Sequence, residues 1–344
     1  MGRIMKAAVL REFNQPLNIE TLPMPEPQPG EALVKIMASG LCMTDCHIQD
    51  GIISSVRLPY IPGHEMAGII EEFGPATYHK GLDVGDHVIC GIDLACGSCA
   101  LCRSKRENLC LKRVRIGFER NGSHAEYAVV PVHNLHKIAD QVPFEQAAII
   151  PDAVACMYHS IVDSARARQG ETALVFGVGG LGLQGIQMLK HLGLTVVASG
   201  RTDAKLQLAK DFGADYTINT LQQDLSSAVM NITRGLGCDL AFDLAGTGRY
   251  DELLRSVRPG GKIIALAYAA ESFQGNFQEM VIKEKEIIGV RGSTTQNLID
   301  CINLVEEGII VPAVSRTYPL EQINDALANL RSGRSLGRSV LKMA

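Results

Sequence analysis

Tryptophan is absent from the 344-residue sequence, and aromatic residues make up only 5% of it. The missing tryptophan says little about a ligand; the other absences exclude more. No apolar run approaches the roughly 20 residues needed to cross a bilayer, so no membrane-spanning helix is expected. Large blocks of like charge are missing and the formal net charge is −4, which gives no electrostatic reason to expect a nucleic-acid or membrane partner. The opening MGRIMKAAVLREF is charged early and lacks the apolar core and small-residue cleavage site of a secretory signal, so a cytoplasmic protein is expected. Neither internal repeats nor low-complexity segments appear.

What is present describes an ordinary globular chain: 46% hydrophobic and 20% charged residues, at a length that exceeds what one core usually supports. Two domains follow. Residues 1–150 are rich in glycine, proline and valine, with short alternating stretches such as EALVKIMASG and DHVICGI, and read as strands and turns. Residues 151–290 open on helical spacing and then alternate apolar strand and helix (TALVFGVG, LGLQGIQMLKHLG, TVVAS), the rhythm of a parallel sheet wrapped by crossover helices. Residues 291–344 become helical, end on a strand-like GRSVLKM, and are expected to complete the first domain. The fold class is α/β.

Within LVFGVGGLGLQG, Gly177, Gly179 and Gly182 have G-x-G-x-x-G spacing between an apolar strand and an apolar helix, with Gly180 opening the helix. This arrangement binds a dinucleotide: a tight turn, backbone approach to the pyrophosphate, close helix packing, and a helix N-terminus facing the anion. At the end of the next strand, where an acid would bind an NAD ribose, stand Ser199, Gly200 and Arg201. A guanidinium without a competing acid favours the 2′-phosphate of NADP(H), although nearby Asp203 leaves NAD(H) open.

Ten cysteines in a long chain without a secretory signal point to metal rather than to a disulfide framework. Cys96, Cys99, Cys102 and Cys110 are spaced C-x2-C-x2-C-x7-C, and four thiolates from one lobe close a tetrahedron round a structural Zn²⁺. The surrounding Arg103, Lys105, Arg106, Lys112, Arg113 and Arg115 lack interleaved aromatics for nucleic-acid stacking and read as a solvated face. Cys156, Cys238 and Cys301, isolated in apolar text, read as core residues. A second metal set is dispersed. SGLCMTDCHIQD supplies Cys42, PYIPGHEMAG supplies His64 and Glu65, and IIPDAVAC supplies Asp152. Thiolate, imidazole and carboxylate make a zinc set of three with a fourth position open for chemistry.

These motifs together resemble the zinc-dependent medium-chain alcohol dehydrogenases, and the resemblance runs over essentially the whole chain: Cys42, Thr44, Asp45 and His47; Gly63-His64-Glu65; the four-cysteine lobe; the glycine loop; and Gly337-Arg338. It implies an N-terminal GroES-like distorted β-barrel catalytic domain completed by the C-terminal tail, a Rossmann cofactor domain inserted between, and an active cleft between the two. Cys42, His64 and Asp152 are then ligands of a catalytic zinc, with Glu65 able to approach the ion, Asp45 orienting His64, and Arg338 on the cofactor pyrophosphate. Thr44 starts a proton relay that runs through the cofactor ribose to His47, and Cys46 and Cys156 are bystanders. The resemblance further implies two zincs per chain, a small-molecule alcohol or carbonyl substrate, and a homodimer or homotetramer joined through EIIGVRG. Tyr60, Phe118, Met157 and Tyr268 are guesses at pocket lining. The Asp152–Tyr158 region resembles a subgroup acting on hydroxyacyl-thioesters or bulky secondary cyclic alcohols, with simple primary alcohols also open. Two rival readings, a zinc-free NADPH quinone or enone reductase and a non-catalytic zinc-stabilised NADPH-binding protein, predict zero and one zinc per chain.

Overall fold

A computed structural model describes residues 2–267, 272 and 275–343. The chain forms two compact units, one of residues 1–155 with 293–344 and the other of residues 156–292. The division falls after Ala155 rather than after residue 150, which keeps Asp152 in the unit that holds Cys42 and His64.

In the first unit the strands run in the order Val314–Pro319, Arg338–Lys342, Glu31–Leu41, Glu65–Phe73, His87–Cys90 and Leu135–Lys137, with Tyr127–Pro131 also pairing to Glu31–Leu41. The 11-residue strand Glu31–Leu41 organises the site. One edge pairs with Glu65–Phe73; the other is shared, its first half taken by Tyr127–Pro131 and its last by Arg338–Lys342. Register therefore carries the C-terminal strand and the Glu65 strand to either side of Gly40, which faces Glu65 on one edge and Val340 on the other. A Cβ at Gly40 would lie 1.9 Å from Glu65 Oε2, so the glycine just ahead of Cys42 is there because a carboxylate occupies its side-chain space. Val34, Ile36, Leu41, Met66 and Ile70 of these strands are buried together in the core of the unit.

In the second unit six strands, all parallel, lie in the order Tyr216–Asn219, Thr195–Gly200, Thr172–Phe176, Cys238–Asp243, Val257–Ala265, Glu286–Gly289. Numbered along the unit this is 3-2-1-4-5-6, the doubly wound order of dinucleotide-binding sheets, and the strand order reverses between Thr172–Phe176 and Cys238–Asp243. The glycine loop leaves the first of those two strands. No helix among the described residues is long and apolar enough to cross a membrane.

Candidate active site and metal centres

Cys42 is the N-cap residue of the short helix Met43–Gln49, which carries Thr44 and Asp45 in its first turn and His47 in its last. Asp45 turns back, and its Oδ2 accepts the Cys42 backbone N–H at 2.8 Å. Thr44 Oγ1 lies 3.4 Å from Cys42 Sγ. Thr44 and His47 are three residues apart and share a helix face. His64 and Glu65 sit where the loop enters the strand Glu65–Phe73. Asp152 lies on a widened helical turn, Ile150–Val154, in which Val154 N–H reaches back five residues to Ile149 C=O at 3.3 Å. Pro151 has no N–H to give an ordinary helix, and such widened turns are frequent at functional sites.

The donor atoms of Cys42, His64, Glu65 and Asp152 all lie within 4.8 Å of one another. His64 Nε2 is 3.8 Å from Asp152 Oδ2, while its Nδ1 faces Asp45 Oδ1 at 3.5 Å, so the ring turns one nitrogen to the donor set and the other to a buried carboxylate. The guanidinium of Arg338, itself buried, bonds through Nε to Glu65 Oε2 at 3.1 Å and through Nη2 to Glu65 Oε1 and, at 2.5 Å, to Asp152 Oδ2. Sulfur, nitrogen and oxygen donors brought this close together fit a divalent ion. Arg338, expected on the pyrophosphate, thus has carboxylate partners within the donor set.

The lobe has its own geometry. Sγ separations are 3.9 Å for Cys96–Cys102, 3.5 Å for Cys99–Cys102 and 4.0 Å for Cys99–Cys110. A tetrahedron with Zn–S of about 2.3 Å has edges of about 3.8 Å. Backbone N–H groups aim at the sulfurs: Cys99 N–H at Cys96 Sγ, and Cys96 and Lys112 N–H at Cys110 Sγ, each 3.4 Å. Such N–H groups draw the Cys96 thiol down to about 5, whereas burial and the neighbouring sulfurs push Cys102 up to about 12. Four cysteine sulfurs at this spacing fit one shared tetrahedral cation.

In the second unit, Gly179 is the N-cap residue of the helix Gly180–His191. A Cβ at Gly182 would approach Gly177 O to 2.3 Å, while one at Gly179 would meet nothing within 4 Å, leaving that backbone open to a ligand. We predict that Gly182→Val would reduce nicotinamide-dinucleotide affinity more than tenfold, as read by fluorescence titration, through displacement of the loop; unchanged affinity would remove the loop from cofactor binding. Ser199 differs from expectation: it is fully buried and its hydroxyl donates to Val175 C=O at 3.4 Å, so its side chain is turned into the sheet. Arg201 is exposed. Asp203 accepts the Asn219 side-chain amide at 2.8 Å. Lys205 is a further cation beyond this strand; burial and the Arg201 charge both lower its pKa.

Of the guessed lining residues, Phe118 lies with its ring 5.2 Å from that of His64, and Tyr60 is buried with its hydroxyl donating to Gly117 C=O at 3.4 Å. Met157 is fully buried, its methyl against Gly185, and belongs to the core of the second unit. Tyr268 lies outside the described residues.

Family profiles match both parts of this architecture: one described as an alcohol dehydrogenase GroES-like domain over residues 28–140, the other as a zinc-binding dehydrogenase over residues 180–307. An alcohol dehydrogenase of Geobacillus stearothermophilus is 35% identical over 341 residues, covering 98% of this chain and 100% of that protein. A solved NAD-dependent alcohol dehydrogenase superposes with a TM-score of 0.94 at 30% identity, covering 99% of this chain and 100% of that one. The alcohol dehydrogenase of the archaeon Aeropyrum pernix does so at 0.91 and 29%, covering 98% and 99%. The chain belongs to the zinc-type medium-chain alcohol dehydrogenase family. It is an oxidoreductase that moves a hydride between an alcohol and a nicotinamide cofactor.

Proposed function

We propose that the chain is a two-zinc, NADP(H)-preferring dehydrogenase of the cytoplasm in which Cys42, His64 and Asp152 hold the catalytic ion and the four-cysteine lobe holds a structural one. The carrying observation is the convergence of Cys42, His64, Glu65 and Asp152 donors within 4.8 Å from three separate stretches of chain. Bound there, zinc supplies a Lewis acid for the alcohol oxygen, and the nicotinamide supplies the hydride acceptor. The residues do the rest. Asp45 keeps His64 turned toward the ion, Thr44 takes the alcohol proton, and His47, one helical turn on, hands it to water. Burial lowers the His47 pKa, which favours the neutral ring that can accept a proton at neutral pH. Counting metal tests the reading against its two rivals: two zincs per chain support it, and one or none overturns it. An assay panel of primary, secondary cyclic and hydroxyacyl-thioester alcohols would then define the substrate.

The preference for NADP(H) is supported by the absence of an acid at the end of the strand Thr195–Gly200, by Asn219 occupying the Asp203 carboxylate, and by Arg201 beside Lys205. Arg201→Ala is expected to cut kcat/KM for NADPH by about 10–100-fold, the loss of a charge-assisted contact of roughly 1.4–2.8 kcal/mol, with NADH changed less than about threefold. Equal losses with both cofactors would reverse the preference argument. We also read the outer strand Glu286–Gly289, beside a helix that exposes Phe277 (75%) and Ile282 (71%), as the pairing edge of a homo-oligomer, which sedimentation at several concentrations would test.

A further inference from the structure

One buried imidazole close to the metal centre has so far been given no task. His124 is fully buried, and its backbone is fixed at both ends: its N–H donates to Pro62 C=O at 3.0 Å, and its C=O accepts Ala8 N–H at 2.8 Å. Its ring lies against Gly63, where a Cβ would meet His124 Nδ1 at 2.6 Å; Gly63 therefore has no side chain because this ring passes over it. Nδ1 is 2.9 Å from Ser39 Oγ, which is 2.6 Å from Ser123 Oγ, and Ser123 lies 3.2 Å from the Glu65 carbonyl. Nε2 points the other way, 3.6 Å from Asp45 Oδ1.

That oxygen decides the matter. Asp45 Oδ2 is satisfied by the Cys42 N–H, but Oδ1 is buried with no partner at hydrogen-bond distance. Two ring nitrogens face it, His64 Nδ1 at 3.5 Å and His124 Nε2 at 3.6 Å. A buried carboxylate oxygen without compensation is costly, and it has two lone pairs to offer. The tautomer follows from the neighbours. A bare Nε2 facing a carboxylate would be repelled, so the proton sits on Nε2 and Nδ1 accepts from Ser39.

We propose that His124 is a positioning residue for the catalytic metal, its Nε2–H sharing Asp45 Oδ1 with His64 so that Asp45 stays aligned with both Cys42 and His64. The inference rests on Cys42, His64 and Asp152 being the ligands. The Ser39 and Ser123 hydroxyls close a loop from His64 through Asp45 and His124 back to the Glu65 backbone, tying the helix Met43–Gln49 to two strands. Partners of this kind, one step behind a ligand, are worth about 10–100-fold in metal affinity.

The test compares chelator titrations of zinc-loaded full-length protein, with zinc retained per chain read by native mass spectrometry. His124→Phe keeps the ring volume and removes the donor; it is expected to release one zinc at about 10–100-fold lower chelator concentration while the lobe zinc stays. His124→Gln, whose amide reaches where Nε2 was, is expected to restore retention to within about threefold, whereas His124→Asn, which reaches only Ser39, is not. In an Asp45→Asn background His124→Phe should add less than about twofold, because its effect passes through Asp45. Wild-type retention by His124→Phe, or an undiminished effect in that background, would overturn the inference. Should His124→Phe not fold, the Gln and Asn variants decide, and equal retention by those two would overturn it. A wild-type protein that holds only the lobe zinc would instead remove the ligand assignment itself.

Discussion

Asp152→Ala is expected to leave the protein with one zinc instead of two and to lower kcat/KM for alcohol oxidation by at least about 10³-fold, with Cys42→Ala behaving alike. Each substitution leaves two donors of the three-donor face and removes an anion from a site that needs negative charge to hold a divalent ion. Arg338 sharpens the expectation for Asp152. Its guanidinium bonds both Glu65 and Asp152, so loss of Asp152 leaves a buried cation with Glu65 alone, and that pair does not replace a ligand. The fold should persist, because the strands that carry the site pair through backbone and through apolar side chains away from it. Full turnover with two metals bound in either variant would show that the ligands had been misassigned.

Cys110→Ala should act on stability rather than on chemistry. The lobe of residues 96–113 contains one four-residue helix and a three-residue turn of helix, and is closed at its base by a pair of two-residue strands, Asp93–Leu94 and Val114–Arg115. Apolar burial there is slight: Leu111 is 82% exposed, and Cys110 is the one buried cysteine of the four. The ion is therefore the core of the lobe. Structural zinc sites of this type contribute on the order of 10 kcal/mol to folding of their segment, so loss of one thiolate should open the lobe locally. We expect release of one zinc, a lowered thermal midpoint in calorimetry, and new cleavage between residues 96 and 113 on limited proteolysis. An unchanged cleavage pattern after release of that zinc would show that the lobe holds itself together.

The two metal sets also show how unevenly the site could be read. Cys96 to Cys110 fall within 15 residues, where spacing nearly dictates geometry. Cys42, His64 and Asp152 are far apart: their residue types suit a zinc set, but no spacing joins them, and the resemblance to a family supplies their roles. His124 carried no signal at all: a single histidine in NGSHAEY has no partner at any regular spacing, and its role depends on a loop crossing over Gly63. Ser199 turns its hydroxyl into the sheet, and one step along a strand decides which face a side chain takes.

Local order in the chain text was enough for the strand and helix alternation of the second unit, the glycine turn, the cysteine lobe and the absence of a membrane-spanning helix, because each is governed by neighbours a few residues apart. Which carboxylates face Arg338, which imidazoles share Asp45, and why residue 40 must be glycine were decided by strand register and by loops folding across one another. Those contacts join residues up to 273 positions apart, and nothing in the periodicity of the sequence records them.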